Sequence, residues 1–274
     1  MKKKKYSFSI IALWIYIALV LLWVVLPVIY VFTGAFRGHN PTVWWENFFP
    51  IDFTTENFRA AFHRNPLGIQ FVNSVIVTIC QTAAEVILSI LAAAALVFGR
   101  LRHPGWIFTF ILITMMLPGE SLIVSKFLLI NNMGLYDTVI AVFLPYMTSA
   151  FAIFLLRQRF LSFPWEIYEA SQMEGASPLY FVFRILVPLN RPAIFMVAIN
   201  AAIGAWNGYL WPLLITQSPS SRTLQVGIDQ LSDAEAMNYG VILAGVVIVT
   251  IPMILLVLTG NKYLTRGLTE GATK

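Results

Sequence analysis

The chain alternates long apolar runs with short polar breaks. Six runs stand out, at residues 10–32, 71–98, 106–127, 138–156, 193–216 and 239–259. A helix needs roughly 20 apolar residues to cross the hydrocarbon core of a bilayer, and each run is about that long. Pro27, Pro118, Pro145, Pro212 and Pro252 fall inside the runs. Proline is tolerated there because neighbouring helices and water satisfy the carbonyls it frees. The pattern predicts an all-α membrane protein with six transmembrane helices, forming one domain over residues 1–274. The first run directly follows Lys2, Lys3, Lys4 and Lys5. It is longer than the core of a cleaved signal peptide and no small-residue cleavage site follows, so it reads as a retained signal anchor.

Composition agrees with the pattern. Of 274 residues, 58% are apolar and only 11% are charged, whereas soluble domains are about a quarter charged. So few charges cannot coat a soluble protein of this size. A soluble enzyme, a disordered chain and a nucleic-acid-binding domain are excluded. The net charge of +5 is explained by where the cations fall. With both termini inside, thirteen basic residues are cytoplasmic: Lys2, Lys3, Lys4, Lys5, Arg100, Arg102, Arg157, Arg159, Arg184, Arg191, Lys262, Arg266 and Lys274. Five are outside: Arg37, Arg59, Arg64, Lys126 and Arg222. These account for all 18 Lys and Arg, and the bias obeys the positive-inside rule. The expected topology is therefore N-in/C-in. The lone Cys80 forms no intrachain disulfide, and His39, His63 and His103 are too far apart in sequence for a metal spacing.

Two loops are longer than connectors need to be. The outer one, residues 34–70, carries Trp44, Trp45, Phe48 and Phe49, which read as an interfacial aromatic belt. The inner one, residues 157–192, has internal structure written into it. Ser162, Pro164 and Glu166 look like a helix start: a capping hydroxyl, a first-turn proline and an acid at the positive dipole end. The helix runs to about Glu174, and Gly175 suits the left-handed position that closes a helix. Ser177 and Pro178 open a second helix, which meets Pro188. The element is helix, sharp corner, helix on the cytoplasmic membrane surface. A lipid-bound surface helix is the blander alternative, but only Arg157, Arg159 and Arg184 favour it, and Glu169 and Glu174 oppose it.

Glu169-Ala170-Ser171, Gly175 six residues after the Glu, and Ile185-x-x-Pro188 resemble the EAA motif of ABC importer permeases. Residues 174–177 and 187–192 resemble the carbohydrate-importer branch, the group containing the second maltose permease subunit. So do Asn73-Ser74, residues 206–213 and the tail at 266–272. The resemblance covers roughly residues 70–274. It departs from the pattern at Ser171 (usually Ala) and Val187 (usually Leu), both small changes in volume.

The resemblance implies a permease fold whose coupling helix lies between transmembrane helices 4 and 5. Glu169, Ala170, Ser171, Gly175, Ala176, Ile185 and Pro188 are then the residues that couple it to an ATPase. It implies four further components: a second related permease subunit, a dimer of cytoplasmic ATPase subunits that bind ATP and Mg, an external or periplasmic solute-binding protein, and the cytoplasmic (inner) membrane of a prokaryote. In that family the loop at 217–238 reaches toward the binding protein, and here it is acidic through Asp229, Asp233 and Glu235 against Arg222. The chain itself has no Walker A pattern, so it is not expected to hydrolyse ATP and needs an ATPase partner; no cofactor is expected in this chain, ATP and Mg being bound by that partner.

Polar residues inside the runs are candidates for a pathway. In the second run Ser74, Thr78, Gln81, Glu85 and Ser89 share one helical face. Glu85 is an intramembrane carboxyl, costly unless it faces a bundle interior or water. It serves a pathway or an interhelical hydrogen bond. Glu120, after Pro118-Gly119, is placed at a broken helix near the outer interface. In the fifth run Asn200, Gly204, Asn207 and Trp211 fall on one face. Amides beside aromatic rings suit a sugar, and glycines beside Trp also suit tight packing. Gln81, Glu85, Asn200, Gly204 and Asn207 are the candidate pathway-lining residues. Cys80, Met115, Met116 and Met253 read as packing.

The function expected is a permease subunit for a carbohydrate or sugar-like solute, with a polyol phosphate such as glycerol 3-phosphate or an amino sugar as alternatives. An intramembrane enzyme would need convergent catalytic groups, and no H-E-x-x-H or paired His/Asp set is present. A membrane scaffold would not need the polar faces. The topology predicts that cysteines introduced at Ser177 and Ser220 react with an impermeant thiol reagent from opposite sides, Ser220 from outside. Labelling of both from one side would overturn it.

Overall fold

The computed structural model describes residues 3–38, 48, 52–232 and 238–269, with side chains described at 10–38, 48, 52–119, 121–232 and 238–258. Trp44, Trp45 and Phe49 of the expected belt, Asp233, Glu235 and residues 270–272 of the tail motif lie outside the described residues. Helices account for nearly all regular structure, and among the described residues the one β contact is an isolated bridge between Arg37 and Phe53. The chain divides into two compact units, Met1–Leu67 with Gly227–Ile251 and Gly68–Val226 with Pro252–Lys274.

The first unit is built on α1 (Lys3–Ala35). This helix is apolar on every side, as expected of one surrounded by lipid, and Trp23 is 81% exposed. Its last turn packs on α2 (Glu56–Arg64) and the start of α14 (Tyr239–Thr269) through Val31, Phe32, Ala35, Phe58, Ala244 and Val247. A helix ends with carbonyls that have no partner within it. Here the buried Asn57 donates its Nδ2 to the carbonyls of Ala35 (3.0 Å) and Arg37 (2.7 Å). Asn57 in turn needs Gly240, because a Cβ there would stand 2.5 Å from Asn57 Nδ2.

The second unit is organised around α3 (Leu67–Phe98), an unbroken 32-residue helix. The expected single span over 106–127 is instead α4 (Pro104–Met115), a 3-10 turn at Gly119–Leu122 and α5 (Ile123–Asn132). Pro118 explains the break, because it has no N–H and its ring excludes a continuing helix. The chain tightens before it, with Met116 N bonding Ile113 O and Leu117 N bonding Thr114 O. The fourth run is likewise bent by 44° between α6 (Val139–Phe143) with its 3-10 extension through Pro145 and α7 (Ala150–Leu161). Thr138 and Ser149 cap the two starts with their hydroxyls.

After α8 (Trp165–Met173) come α9 (Pro178–Tyr180), a π-helical turn Phe181–Leu186 and α10 (Val187–Leu189). The fifth run follows as α11 (Arg191–Trp206) and α12 (Leu210–Ile215), separated at Asn207 to Tyr209, and α13 (Leu224–Asp229) lies in the loop beyond. Three helices, Ile10–Ala35, Leu67–Phe98 and Tyr239–Leu258, are each long and apolar enough to cross a membrane alone. The bent pairs 139–161 and 178–206 would raise that to five, so the expected six spans do not appear as six continuous helices.

The segment after α12, part of the outer loop at 217–238, is anchored in the fold. Ser221, Thr223, Leu224 and Val226 are buried. Asp137, at the α5–α6 turn, sits in the left-handed region with φ +60°, a conformation Asp tolerates better than most residues. Its carboxylate accepts from the backbone N–H groups of Gln217 (2.7 Å) and Ser218 (2.9 Å) and from the hydroxyls of Ser218 and Ser221. Partial burial alone would raise this carboxyl, but those four bonds hold it well below the usual carboxylate range. A depressed folded value means that the charge stabilises the fold above the unfolded pKa, about pH 4. That contribution is lost only as the pH falls through the lower folded value. Asp137→Ala is therefore expected to lower stability by about 1 kcal/mol near neutral pH. Asp137→Asn, which keeps an acceptor and the left-handed backbone, should lose less. Thermal unfolding in detergent measures both, and an Asp137→Asn variant as stable as the unsubstituted chain would contradict the charge-assisted account.

Candidate functional site

The inner loop folds as a helix, a corner and a second helical stretch. Its beginning differs from expectation. Ser162 does not open α8: its N–H and its Oγ both donate to Arg159 O, at 3.2 and 2.8 Å, so it closes α7. Pro164 occupies the N-cap of α8 and contributes no side-chain cap. Glu166 lies in the first turn, where a carboxylate meets the positive end of the helix dipole.

The end of α8 is built as its residues predict. Ala176 N donates to Ser171 O and Gly175 N to Gln172 O, both at 3.0 Å. That pair of bonds is the Schellman arrangement, which requires a left-handed residue between them. Gly175 supplies it with φ +77°. Ser177 Oγ then accepts from Tyr180 N (3.3 Å) with Pro178 following it. The second stretch widens into the π turn before Pro188, which has no N–H to return to the preceding turn. At Asn190 it meets α11 at 88°.

The motif residues divide between two faces. Glu169, Ala170 and Gly175 are exposed, whereas Ser171 is buried and Ala176, Ile185 and Pro188 are partly buried. Ser171 satisfies its hydroxyl on Tyr168 O (2.7 Å), so a serine in place of alanine leaves no orphaned donor. Glu169 accepts from Trp165 Nε1 at 2.9 Å, which holds its carboxylate on the outer face of the helix.

Several residues that fix this corner were not singled out by sequence. Phe98, the last residue of α3, has its ring 5.0 Å from Tyr168, 5.1 Å from Phe181, 5.9 Å from Trp165 and 6.0 Å from Phe163. Tyr168 Oη also donates to Phe98 O (3.2 Å). At the elbow the buried Asn190 gives Nδ2 to Leu186 O (2.9 Å) and accepts from Arg159 Nε (3.1 Å). The aromatic spacing at 163, 165 and 168 was visible in the sequence, but its partner 65 to 70 positions earlier was not. A cleft of about 550 Å³ opens beside the cluster, lined in part by Ala94, Phe98, Arg100, Tyr168, Gln172 and Val182.

The pathway candidates are only partly brought together. Gln81 and Gly204 line one cavity of about 240 Å³ with Tyr146, Tyr209 and Trp211. Glu85 lies apart from it, buried, and accepts from the hydroxyl of Ser149 at the start of α7. Ser74, Gln81, Glu85 and Ser89 are all buried, so the polar face of α3 does turn inward. Asn200, Gly204 and Asn207 form an exposed line on α11. Trp211 leaves that line because the helix breaks before it, and it is buried with Nε1 on Ala141 O (3.1 Å). The cavity offers an amide and aromatic rings, and Lys126 Nζ stands 4.6 Å from the Tyr146 ring centre. The backbone at Glu120 is in the 3-10 turn, in line with a broken helix there.

Residues 85–270 match the family described as the binding-protein-dependent transport system inner membrane component. Among similar proteins, the sn-glycerol-3-phosphate transport system permease protein UgpE of Brucella abortus is 33% identical, over 81% of this chain and 82% of its own length. The arabinooligosaccharides transport system permease protein AraQ of Halalkalibacterium halodurans is 31% identical, over 83% of this chain and 82% of its own. In structure, the chain superposes on one from a bacterial ABC transporter involved in the import of the acidic polysaccharide alginate. The TM-score is 0.85, covering 96% of this chain and 98% of that one at 22% identity, which establishes a common fold.

Nothing lies within 4 Å of where a Cβ on Gly175 would project, so substitution there tests backbone conformation alone. Gly175→Val should strain the corner by roughly 1–2 kcal/mol, while Gly175→Asn, which tolerates the left-handed region, should cost less. Limited proteolysis of the membrane-embedded protein at 174–178 reads the difference. Equal resistance in both variants would show that the Schellman turn does not govern the corner.

Proposed function

The chain belongs to the family of binding-protein-dependent transport system inner membrane components, and from that membership we infer that it is a sugar-importing permease subunit of an ABC transporter. Its work is conduction and not catalysis. The observation that carries the reading is the corner at Gly175, which lies inside the family-matching stretch and presents Glu169, Ala170 and Gly175 on an exposed face. Small side chains there let another protein's backbone approach closely, and the Schellman turn keeps the face stiff. A separate ATPase dimer docks on it and supplies the energy of ATP hydrolysis. Closure of that dimer moves the corner and biases the spans between two arrangements.

The remaining assembly follows from the same reading. The chain crosses the cytoplasmic membrane of a prokaryote with both termini inside, the two bent pairs and the α4–α5 route broken at Pro118 adding three spans to the three continuous helices. A second, related permease covers the exposed line Asn200, Gly204 and Asn207, so that these residues and the cavity at Gln81 border a shared pathway. An external binding protein delivers the solute. A carbohydrate suits the amide and aromatic lining, because rings cover C–H faces while amides meet hydroxyls. A polyol phosphate is the second reading, favoured by the UgpE relative and by the Lys126 ammonium beside Tyr146.

Purification of the tagged chain from its own host is expected to bring an ATPase with it. Glu169→Lys, reversing a charge on the docking face, should reduce that recovery and the solute-stimulated ATP hydrolysis several-fold while membrane insertion is unchanged. The effect shrinks where the partner charge is solvent-exposed. Full recovery with normal stimulation would remove the corner as the docking element. A ligand screen on the cognate binding protein then separates a sugar from a polyol phosphate.

A further inference from the structure

Helix α3 is fixed at both ends to elements that the chain places far apart. At its C-terminus Phe98 is embedded in the rings of Phe163, Trp165, Tyr168 and Phe181, and its carbonyl takes the Tyr168 hydroxyl. At its N-terminus three successive polar side chains grip the segment after α12. Gln70 Nε2 donates to Pro219 O (3.2 Å), Asn73 Nδ2 donates to Ser220 O (2.7 Å) and Arg222 O (3.0 Å), and Ser74 Oγ accepts from Leu224 N (2.8 Å). Gln70, Asn73 and Ser74 are all buried. Each is spent on backbone, so the grip does not depend on which side chains the segment carries.

Between these ends the helix is stiff. No proline or glycine occurs from residue 69 to 98, and sharp kinks in helices arise chiefly at those residues. Four consecutive alanines, residues 92–95, have the highest helix propensity of any residue. At 1.5 Å per residue the 32 residues extend about 48 Å, more than the 40–45 Å or so of a bilayer with its headgroups. The neighbouring routes are interrupted: α4 from α5 at Pro118, α6 from α7 by the 44° bend, and α11 from α12 at residues 207–209.

We propose that α3 is the rod that carries movement of the ATPase-docking corner to the outer segment 217–224, with Phe98 and Tyr168 as its inner positioning residues and Asn73 and Ser74 as its outer ones. The proposal rests on the permease reading above. A shift of the corner displaces Phe98, because its ring is held by four others. The rigid helix passes the displacement to Asn73, and the outer segment follows through its own backbone. Gln81 and Glu85 lie on the same rod, so the pathway-facing side chains move with it.

The test uses the importer complex purified with its ATPase, in a Cys80→Ser background with a fluorophore on Ser220→Cys, an exposed position whose side chain takes no part in the grip. A non-hydrolysable ATP analogue is expected to change the probe signal. Phe98→Ala should reduce that change about fivefold or more, Tyr168→Phe by less, and Phe98→Tyr should restore it. N73L/S74A, which leaves the corner untouched, should reduce the probe response several-fold while ATPase recovery and basal hydrolysis stay normal. That double variant decides the matter where Phe98→Ala fails to assemble. A full probe response in Phe98→Ala or N73L/S74A, with the ATPase retained, would overturn the rod. Absence of any ATPase from the unsubstituted complex would overturn the permease reading, and the rod with it.

Discussion

Every backbone N–H and C=O inside a bilayer must find its partner within the protein, because the hydrocarbon core offers none. The breaks in this chain are ordered by that constraint. Prolines at 118, 145 and 188 interrupt helices, and each interruption is met by a tighter or wider turn or by a polar side chain. Thr138, Ser149 and Ser177 cap helix starts with their hydroxyls, Asn57 takes the last carbonyl of α1, and Asn190 takes the last of the π turn. Most buried polar side chains in the second unit bond to backbone and not to one another. They serve as joints between segments that cannot be continuous.

The same joints place the functional elements. Gly175 turns the chain out of α8, Asn190 turns it through 88° into α11, and Arg159 braces the elbow from α7. The corner is thus held from three sides while Glu169, Ala170 and Gly175 stay exposed on its outer face. Its rigidity comes from the inner side: Ser171, Tyr168 and the rings around Phe98. At the other end of α3 the loop at 217–224 is held through its backbone by Gln70, Asn73, Ser74 and Asp137, so it is part of the permease core and not a free arm.

The geometry of the corner at Gly175 was legible almost residue by residue. Gly175 announces a left-handed helix end, Ser177-Pro178 announces the next start, and both are local effects decided within five residues of chain. The misjudged cap at Ser162 was also local: its hydroxyl had two backbone targets, and the one behind it won. The inward polar face of α3 was legible because a helix repeats every 3.6 residues. The pathway was less so. Asn200, Gly204 and Asn207 share a face as their spacing requires, but Trp211 does not, since one break in the helix cancels the periodicity beyond it. Gln81 and Gly204 meet at a cavity with Tyr146 that no spacing could foretell.

The sequence by itself determined the helical membrane class, the apolar runs and the shape of the corner. These depend on composition, on charge count and on hydrogen bonds that close within one turn. Only the tertiary structure decided which face of the motif is buried and which distant segments α3 ties together. Those outcomes rest on contacts between residues 70 to 150 positions apart, such as Tyr168 with Phe98 and Asn73 with Ser220. A one-dimensional pattern carries no record of such pairs, because any exposed carbonyl in the chain could have accepted the same bond.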